Sequence, residues 1–265
     1  MPDSSAAQIR GQLKHVNTIL VDQPKPERSP YYELSQKYGI AVDWRTFIHV
    51  EGVPEKEFRK ARIRPETFPS VIMTSKNAVD HYFRMCEEMR IKISPDTKYF
   101  CLSEAIANYL QKFIIYRKRK VFAGTRDIQD LTTYLLRHRD NDQFLLPCSN
   151  LGSKPIISFL DEKNIRYQEA LMYRTVSSDL SDLADITYDM LVFFSPLGIK
   201  SLFENFPDFK QNETRIAAYG QSTCDAVIEY GLILNVHAPA PNVPSMSMAL
   251  ENYLQVSNKS NGKVK

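Results

Sequence analysis

One pattern of apolar and polar residues occurs twice in this chain, about 120 positions apart. In the first copy the apolar run 71–73 leads into Thr74 and Ser75, and in the second the run 191–194 leads into Ser195. Apolar residues then recur at spacings of four and three, at Val79, Phe83 and Cys86 in the first copy and at Ile199, Phe203 and Phe206 in the second. Each copy predicts a strand, a serine N-cap and an amphipathic helix.

The repeat continues on both sides of this pattern. Upstream, predicted strands at 19–21 and 144–146 are followed by helices that start near Ser29 and Lys154. These helices end at Gly39 and Asn164, two residue types that tolerate the left-handed C-cap conformation. Downstream, each copy adds two more strand–helix pairs, with strands near 99–101 and 120–122 in the first copy and near 216–219 and 234–236 in the second.

Strands that alternate with helices in this way imply a parallel sheet covered by helices on both faces. The sequence therefore predicts an α/β protein with an internal duplication, in which two similar, flavodoxin-like domains each contain a parallel sheet flanked by helices. A chain of 265 residues is long enough for two domains with separate cores.

Composition narrows the function classes. Hydrophobic residues make up 43% and charged residues 25%, as in an ordinary globular protein. No apolar run reaches the roughly 18 residues that cross a bilayer, and the first 17 residues lack the apolar segment of a signal peptide, so a cytoplasmic location is expected. The four cysteines are expected to be buried thiols. The ends, residues 1–17 and 257–265, are expected to be disordered.

The net charge of +3 is too small to indicate nucleic-acid binding. The basic run YRKRK at 116–120 is interpreted as a solvated loop, with an anion-attracting patch as the alternative. The chain contains no GxGxxG, GxxxxGK[ST], HExxH or GxSxG motif, and its five histidines are scattered. We therefore expect no metal, no cofactor and no covalent nucleophile.

The candidate chemistry is carried by the turns that join strands to helices. In open α/β sheets, ligands bind outside the carboxyl ends of the strands, where free N–H groups at helix N-termini attract carboxylates or phosphates. The candidate ligand-binding residues are Thr74, Ser75, Lys76 and Asn77; Ser103; Ser195, Pro196, Leu197 and Gly198; and Gly220, Gln221, Ser222 and Thr223. Ser149-Asn150 occupies a similar turn. The alternative for every turn is that its residues cap a helix and bind nothing.

The same segments resemble the uroporphyrinogen-III synthase family. The resemblance is carried by IMTSKNAV at 72–79, YRT at 173–175, VFFSPLGI at 192–199 and AYGQSTC at 218–224, in the family's order and spacing. It covers about residues 18–253. Some positions differ from the family pattern: Gln23 stands in place of an arginine, Leu102 in place of a glycine, Ala105 in place of a threonine, and Pro147 in place of the residue that precedes a glycine.

The resemblance implies one discontinuous domain, residues 18–42 plus 176–256, and a second domain, residues 50–167. Two extended connectors, 42–50 and 167–176, would join them. It also implies that the substrate is hydroxymethylbilane, a linear tetrapyrrole with eight carboxylates, and that the reaction inverts its last ring and closes the macrocycle with loss of water. Tyr173 matches the tyrosine that would protonate the leaving hydroxyl; alternatively, its ring packs on a connecting strand.

Other functions stay open at this point. The alternative is a two-domain protein that binds a tetrapyrrole or another anion without turning it over. A nucleotide-dependent transferase is disfavoured, since the chain lacks a glycine-rich loop and a paired carboxylate motif. No partner is expected beyond the small-molecule substrate, neither a membrane nor nucleic acid, and the protein is expected to be a monomer.

Overall fold

The computed structural model describes residues 13–125 and 127–258. The chain forms two compact units. Unit 1 comprises the described parts of Met1–His49 and Val176–Lys265, and unit 2 comprises the described parts of Val50–Thr175. Much of the two predicted tails lies outside the described residues. Where they are described, Val16 and Ser257 are buried, and the Val16 N–H donates to Asn258 Oδ1 at 3.1 Å, so these residues belong to the fold of unit 1.

Unit 1 contains a five-stranded sheet. Strands and helices are numbered in chain order, and those of unit 1 are β1 (Thr18–Val21), α1 (Pro30–Tyr38), β2 (Ala41–Trp44), β9 (Met190–Phe193), α7 (Pro196–Asn205), β10 (Arg215–Tyr219), α8 (Gln221–Glu229), β11 (Leu234–Ala238) and α9 (Met246–Ser257). The strand order is β2-β1-β9-β10-β11, and every pairing is parallel. This is the 2-1-3-4-5 order of flavodoxin-like folds.

The second sheet has six strands. Its elements are β3 (Ile48–Gly52), α2 (Glu55–Phe58), β4 (Ser70–Met73), α3 (Lys76–Glu88), β5 (Lys98–Cys101), α4 (Glu104–Leu110), β6 (Val121–Ala123), α5 (Thr132–His138), β7 (Phe144–Ser149), α6 (Lys154–Glu162) and β8 (Tyr167–Ser177). The order is β3-β8-β7-β4-β5-β6. The run from β8 to β6 is parallel throughout. If β7 is counted as the first strand, β8 as the second and β4, β5 and β6 as the third to fifth, these five strands have the same 2-1-3-4-5 order as unit 1.

The helix boundaries follow from local chemistry. Ser29, Ser75 and Ser195 each accept a backbone N–H with the side-chain oxygen, which satisfies a donor that the first turn of a helix leaves unpaired. Helix α1 ends at Gly39, whose φ of 65° is left-handed, and Asn164 after α6 has a φ of 53°. These predicted starts and ends are confirmed.

The strands are buried because helices cover both faces of each sheet. All four residues of β4 and of β9 are buried, as the apolar runs predict for a central parallel strand. Within residues 13–125 and 127–258, each apolar cluster consists of residues from a single unit: two clusters lie in unit 1 and two in unit 2. The four cysteines are buried free thiols, as predicted.

Two predicted connectors have more regular structure than the sequence suggested. Residues 42–44 belong to β2, paired with β1, and residues 167–176 form most of β8, paired with β7. Both segments look extended in the sequence because they are strands. Strands β3 and β8 carry the chain across the divisions between His49 and Val50 and between Thr175 and Val176.

The topology marks one place in each sheet where a ligand is expected. In unit 1 the chain runs from β1 to β2 on one side and from β9 to β10 on the other, so the switch point lies between β1 and β9. In unit 2 it lies between β7 and β4. Ligands of open α/β sheets bind at this point, outside the carboxyl ends of the strands. Among the described residues, no helix is long and apolar enough to cross a membrane.

Candidate functional site

At the strand ends of unit 2, Tyr173 lies beside the turn that begins α3. Its hydroxyl is 3.4 Å from Ser75 Oγ, which also accepts the Ala78 N–H at 3.0 Å as the N-cap of α3. The Tyr173 ring is only 8% exposed and is fixed on β8 by its neighbours. The structure therefore brings together two predicted site residues that are 98 positions apart.

His81 forms the surface under the Tyr173 ring. The two rings stack with their centroids 5.1 Å apart and their planes 14° from parallel. His81 Nδ1 accepts a hydrogen bond from Arg84 Nε at 3.1 Å, which places the ring proton on Nε2. Burial, and then the positive charge of Arg84, lower the pKa of His81, so the ring is neutral near pH 7. A neutral imidazole provides a flat, uncharged support for the tyrosine.

Arg84 holds this support in place from α3. Its Nη2 donates to the carbonyl oxygens of Val53 and Met172, each at 3.0 Å, and its Nη1 pairs with Glu88 at 2.7 Å. Gly52 leaves room for it, because a Cβ at position 52 would lie 2.6 Å from the guanidinium carbon and would displace the Arg84 side chain. Met172 directly precedes Tyr173, so Arg84 fixes the backbone that positions the tyrosine.

The other predicted residues of unit 2 lie around the same turns. Thr74 is half-buried, whereas Lys76 and Asn77 are exposed in the first turn of α3. Ser103 caps α4 by accepting the Ile106 N–H at 3.4 Å.

Arg174, the residue after Tyr173, makes a two-point ion pair with Glu57, in which Nη1 donates to Oε2 at 3.1 Å. Its charge is therefore already paired.

The end of β7 completes the strand-end surface of unit 2. Ser149 lies opposite Tyr173 in the pairing of β7 with β8. Asn150 binds the backbone of Thr175 with both ends of its amide, accepting the N–H at 2.9 Å and donating to the carbonyl oxygen at 3.2 Å. The Ser149-Asn150 turn thus locks the strand that carries Tyr173.

In unit 1 the turn after β9 is packed against a buried carboxyl group. Ser195 caps α7 by accepting the Gly198 N–H at 3.2 Å. A Cβ at Gly198 would lie 2.0 Å from Asp22 Oδ2, so glycine is required where the first turn of α7 meets Asp22. Pro196 is exposed and Leu197 half-buried in the same turn. Asp22 directly follows β1, and its Oδ1 accepts the N–H of Phe47 at 2.8 Å.

The turn after β10 is more open. Gly220 adopts a φ of 85°, and the exposed Gln221 donates to Asp225 at 2.7 Å. Ser222 is exposed, whereas Thr223 is 1% exposed and faces the core side of α8. Gln221 and Ser222 are thus the solvent-exposed members of this turn. The role of Thr223 stays a prediction.

Sequence reasoning missed His81, Arg84 and Asp22 as site residues. Arg84 follows His81 by three positions, which places them on one helix face, but nothing local connects that face to Tyr173, 92 positions after His81. For Asp22, the sequence indicated only that it is the first polar residue after the apolar run 19–21. Within the described residues, no group of three or more His, Cys, Asp or Glu side chains is arranged to hold a metal ion.

Together these features define the class of protein. It is a two-unit parallel α/β protein whose strand-end turns offer hydroxyl groups and helix N-termini, with a tyrosine hydroxyl positioned in unit 2 and a buried carboxyl in unit 1. Such turns suit a ligand rich in carboxylates, and the tyrosine and the carboxyl can each supply a proton.

Comparisons with known proteins assign the family. The family model for uroporphyrinogen-III synthase HemD matches residues 29–247, most of the chain. The chain belongs to the uroporphyrinogen-III synthase family, as its sequence motifs predicted. It is therefore a cofactor-independent cyclising lyase of tetrapyrrole biosynthesis, which converts hydroxymethylbilane to uroporphyrinogen III.

Solved structures share the fold. A uroporphyrinogen-III synthetase from Helicobacter pylori aligns with a TM-score of 0.57 at 17% identity, covering 91% of this chain and 99% of that one. A mutant uroporphyrinogen III synthase from the extremely thermophilic bacterium Thermus thermophilus aligns with a TM-score of 0.51 at 16% identity, covering 90% of this chain and 98% of that one. No curated protein sequence matches this chain significantly.

Proposed function

We propose that Tyr173 is the proton donor of the cyclisation, held in position by Ser75 and His81. The observation that carries this proposal is the 3.4 Å approach of the Tyr173 hydroxyl to Ser75 Oγ, with the ring stacked on His81. Because ring, hydroxyl and supporting backbone are each held by a separate contact, the phenol has a defined direction. A positioned acid contributes typically 10²–10⁴-fold to a rate.

The proposed step is loss of the terminal hydroxyl of hydroxymethylbilane. Tyr173 gives its proton to that oxygen as the carbon–oxygen bond breaks and water leaves; the pyrrole nitrogen's electrons then form a protonated azafulvene cation, which keeps its N–H and is balanced by the Tyr173 phenolate. Ring closure through the spiro intermediate later releases a proton from a pyrrole carbon, and the phenolate recovers it. The substrate's electron-rich rings supply the driving force, so the protein mainly fixes geometry.

We assign the residues of the strand-end turns to the substrate carboxylates. In unit 2 these are Thr74, Ser75, Lys76, Asn77 and Ser103; in unit 1 they are Ser195, Pro196, Leu197, Gly198, Gly220, Gln221, Ser222 and Thr223. Their exposed members are Lys76, Asn77, Pro196, Gln221 and Ser222. Support comes from the position of these turns at the carboxyl ends of parallel strands and from the free N–H groups of the helices that follow. The proposal also includes a cytoplasmic, monomeric enzyme without a nucleic-acid partner.

The test replaces Tyr173 by phenylalanine, which keeps the ring on His81 and removes the proton. We expect turnover of hydroxymethylbilane to fall roughly ten- to a thousand-fold, while KM and the melting temperature change little. Tyr167→Phe is the matched control, since this tyrosine lies at the start of the same strand and its hydroxyl binds Asp161 at 3.0 Å. Full activity in Tyr173→Phe would remove the acid role and leave catalysis to positioning alone.

A further inference from the structure

Asp22 is a buried carboxyl group at the switch point of unit 1. It follows β1 directly, and its backbone N–H donates to the Val192 carbonyl oxygen of β9 at 2.9 Å, so it lies where the two central strands end. The residue is 8% exposed. This is the position in the sheet where the topology predicts a ligand.

One oxygen of the Asp22 carboxyl accepts a hydrogen bond within the fold, and the other does not. Oδ1 accepts the Phe47 N–H at 2.8 Å. Phe47 is itself fixed, 2% exposed with its ring 5.5 Å from that of Phe193, so the bond orients the carboxyl. Oδ2 lies against the first turn of α7, in the space that a side chain at position 198 would fill. Among the described residues, no donor bonds Oδ2.

The surroundings favour the neutral form of Asp22. Burial raises its pKa to about 7, and the Phe47 N–H opposes this only in part. Charged side chains on the neighbouring elements are engaged elsewhere: Arg45 with Asp182, Lys200 with Glu204, and Asp43 with the Tyr188 hydroxyl. His49 near the end of the same segment contacts Ser178. No ion pair joins any described cation to Asp22, so a negative charge there would be stabilised only by the Phe47 N–H.

We propose that Asp22 contacts the substrate directly, donating a hydrogen bond from Oδ2 to a substrate carboxylate at the strand ends of unit 1. This inference rests on the proposed function and adds a residue to it. As an acid, Asp22 offers the O–H donor that the position needs, and an O–H···O⁻ bond is among the stronger hydrogen bonds of proteins. Once ionised, the same group repels the carboxylate that it held.

Such a contact makes substrate binding depend on pH in a defined direction. Only enzyme with neutral Asp22 binds tightly, so the apparent affinity falls with the fraction that stays protonated. KM of the wild type should rise roughly ten-fold per pH unit above about pH 7. The substrate's own carboxyl groups titrate in a lower range, near the usual carboxylic pKa values of about 4.

The experiment measures KM and kcat between about pH 5.5 and 8.5 for wild type, Asp22→Asn, Asp22→Ala and Asp208→Asn. Asparagine keeps both an acceptor for Phe47 and a donor for the substrate, so its KM should stay near the acidic wild-type value at every pH. Alanine removes the donor, and KM should rise by roughly ten-fold or more throughout. Asp208 is exposed in a loop of the same unit, so Asp208→Asn should keep the wild-type profile.

Four results would overturn the proposal. A rise of KM near pH 7 that persists in Asp22→Asn would place the titrating group elsewhere. A large loss of kcat in Asp22→Asn with unchanged KM would make Asp22 a proton-transfer group and not a binding contact. If wild type does not convert hydroxymethylbilane, the proposed function and this inference both fail, whereas an active wild type with an indifferent Asp22→Ala overturns this inference alone.

Discussion

At the scale of single residues, Asp22 couples folding stability to pH. Its pKa is about 7 in the folded chain against a usual value of 3.8, so between these pH values the folded state binds more protons than the unfolded state. Stability is therefore lost as pH rises from about 4 to 7, and the loss is complete above that range. Salt-bridged carboxylates, whose pKa is lowered, act in the opposite direction.

Asp22→Asn should remove this dependence. We expect the variant to gain stability over wild type progressively as pH rises from about 4 to 7, with a constant difference of up to a few kcal/mol above that range, since one pKa unit corresponds to about 1.4 kcal/mol. Urea unfolding at about pH 5 and pH 8, on either side of the folded-state pKa, measures it. An equal difference at both pH values would mean that Asp22 is not neutral in the fold.

Gly198→Ala tests the contact between α7 and Asp22. The new Cβ would lie 2.0 Å from Oδ2, and the short, buried Asp22 side chain has little room to move. We expect a loss of roughly 1–3 kcal/mol, the usual cost of overpacking, in the free energy of unfolding. The double variant Asp22→Ala/Gly198→Ala should lose less than the sum of the single changes. Additive losses would show that the contact is absent.

Site residues whose role depends on their own segment of the chain were predictable from the sequence. Site residues that depend on contacts between distant segments were not. Ser75 and Ser195 were recognisable because a capping serine precedes its own helix. Asp22 was not, because a single acidic residue after an apolar run has the same appearance whether it is buried or solvated. His81 and Tyr173 meet only because α3 packs beside β8, and this packing leaves no short-range pattern.

At the scale of the elements, the N-caps of α3 and α9 form a matched pair. Ser75 accepts the Ala78 N–H and also approaches Tyr173, whereas Ser245 accepts the Met248 N–H at 3.3 Å and lies in the other unit. Ser75→Ala and Ser245→Ala should each cost about 1 kcal/mol of stability, the usual value of a lost cap. Thermal unfolding measures both.

Activity should separate the two variants. Ser75→Ala should also lower kcat, because the Tyr173 hydroxyl loses the partner that directs it, while Ser245→Ala should keep normal kinetics. Equal kinetics in both variants would mean that Ser75 serves only as a cap.

The order of strands and helices was predictable from apolar periodicity, but the pairing of β8 was not, because an extended connector and a strand have the same local pattern.

At the scale of the whole molecule, the two units have separate cores, since no apolar cluster of the described residues includes residues from both. Unit 2 is continuous in sequence, from Val50 to Thr175. We therefore expect the isolated segment 50–175 to fold and to unfold cooperatively. Circular dichroism with a thermal scan measures this. A segment without a cooperative transition would show that unit 2 depends on unit 1.

The predicted internal duplication concerns the relation between the folds of the two units. The two units share the 2-1-3-4-5 strand order when unit 2 is read from β7, an arrangement that a duplication would produce. Superposing unit 2 on unit 1 should align Ser75 with Ser195, each the N-cap of the helix after the strand that borders the switch point. An alignment that instead offsets these serines by a strand would contradict the duplication.

The isomer of the product shows most directly whether this protein forms uroporphyrinogen III. Purified protein is given freshly prepared hydroxymethylbilane without added metal or nucleotide, and the products are oxidised and separated chromatographically. Because the uncatalysed ring closure yields the type I isomer, we expect the protein to shift the product to uroporphyrinogen III. Type I isomer alone, formed at the spontaneous rate, would rule out the synthase activity and favour a protein that binds a tetrapyrrole or another anion without turning it over.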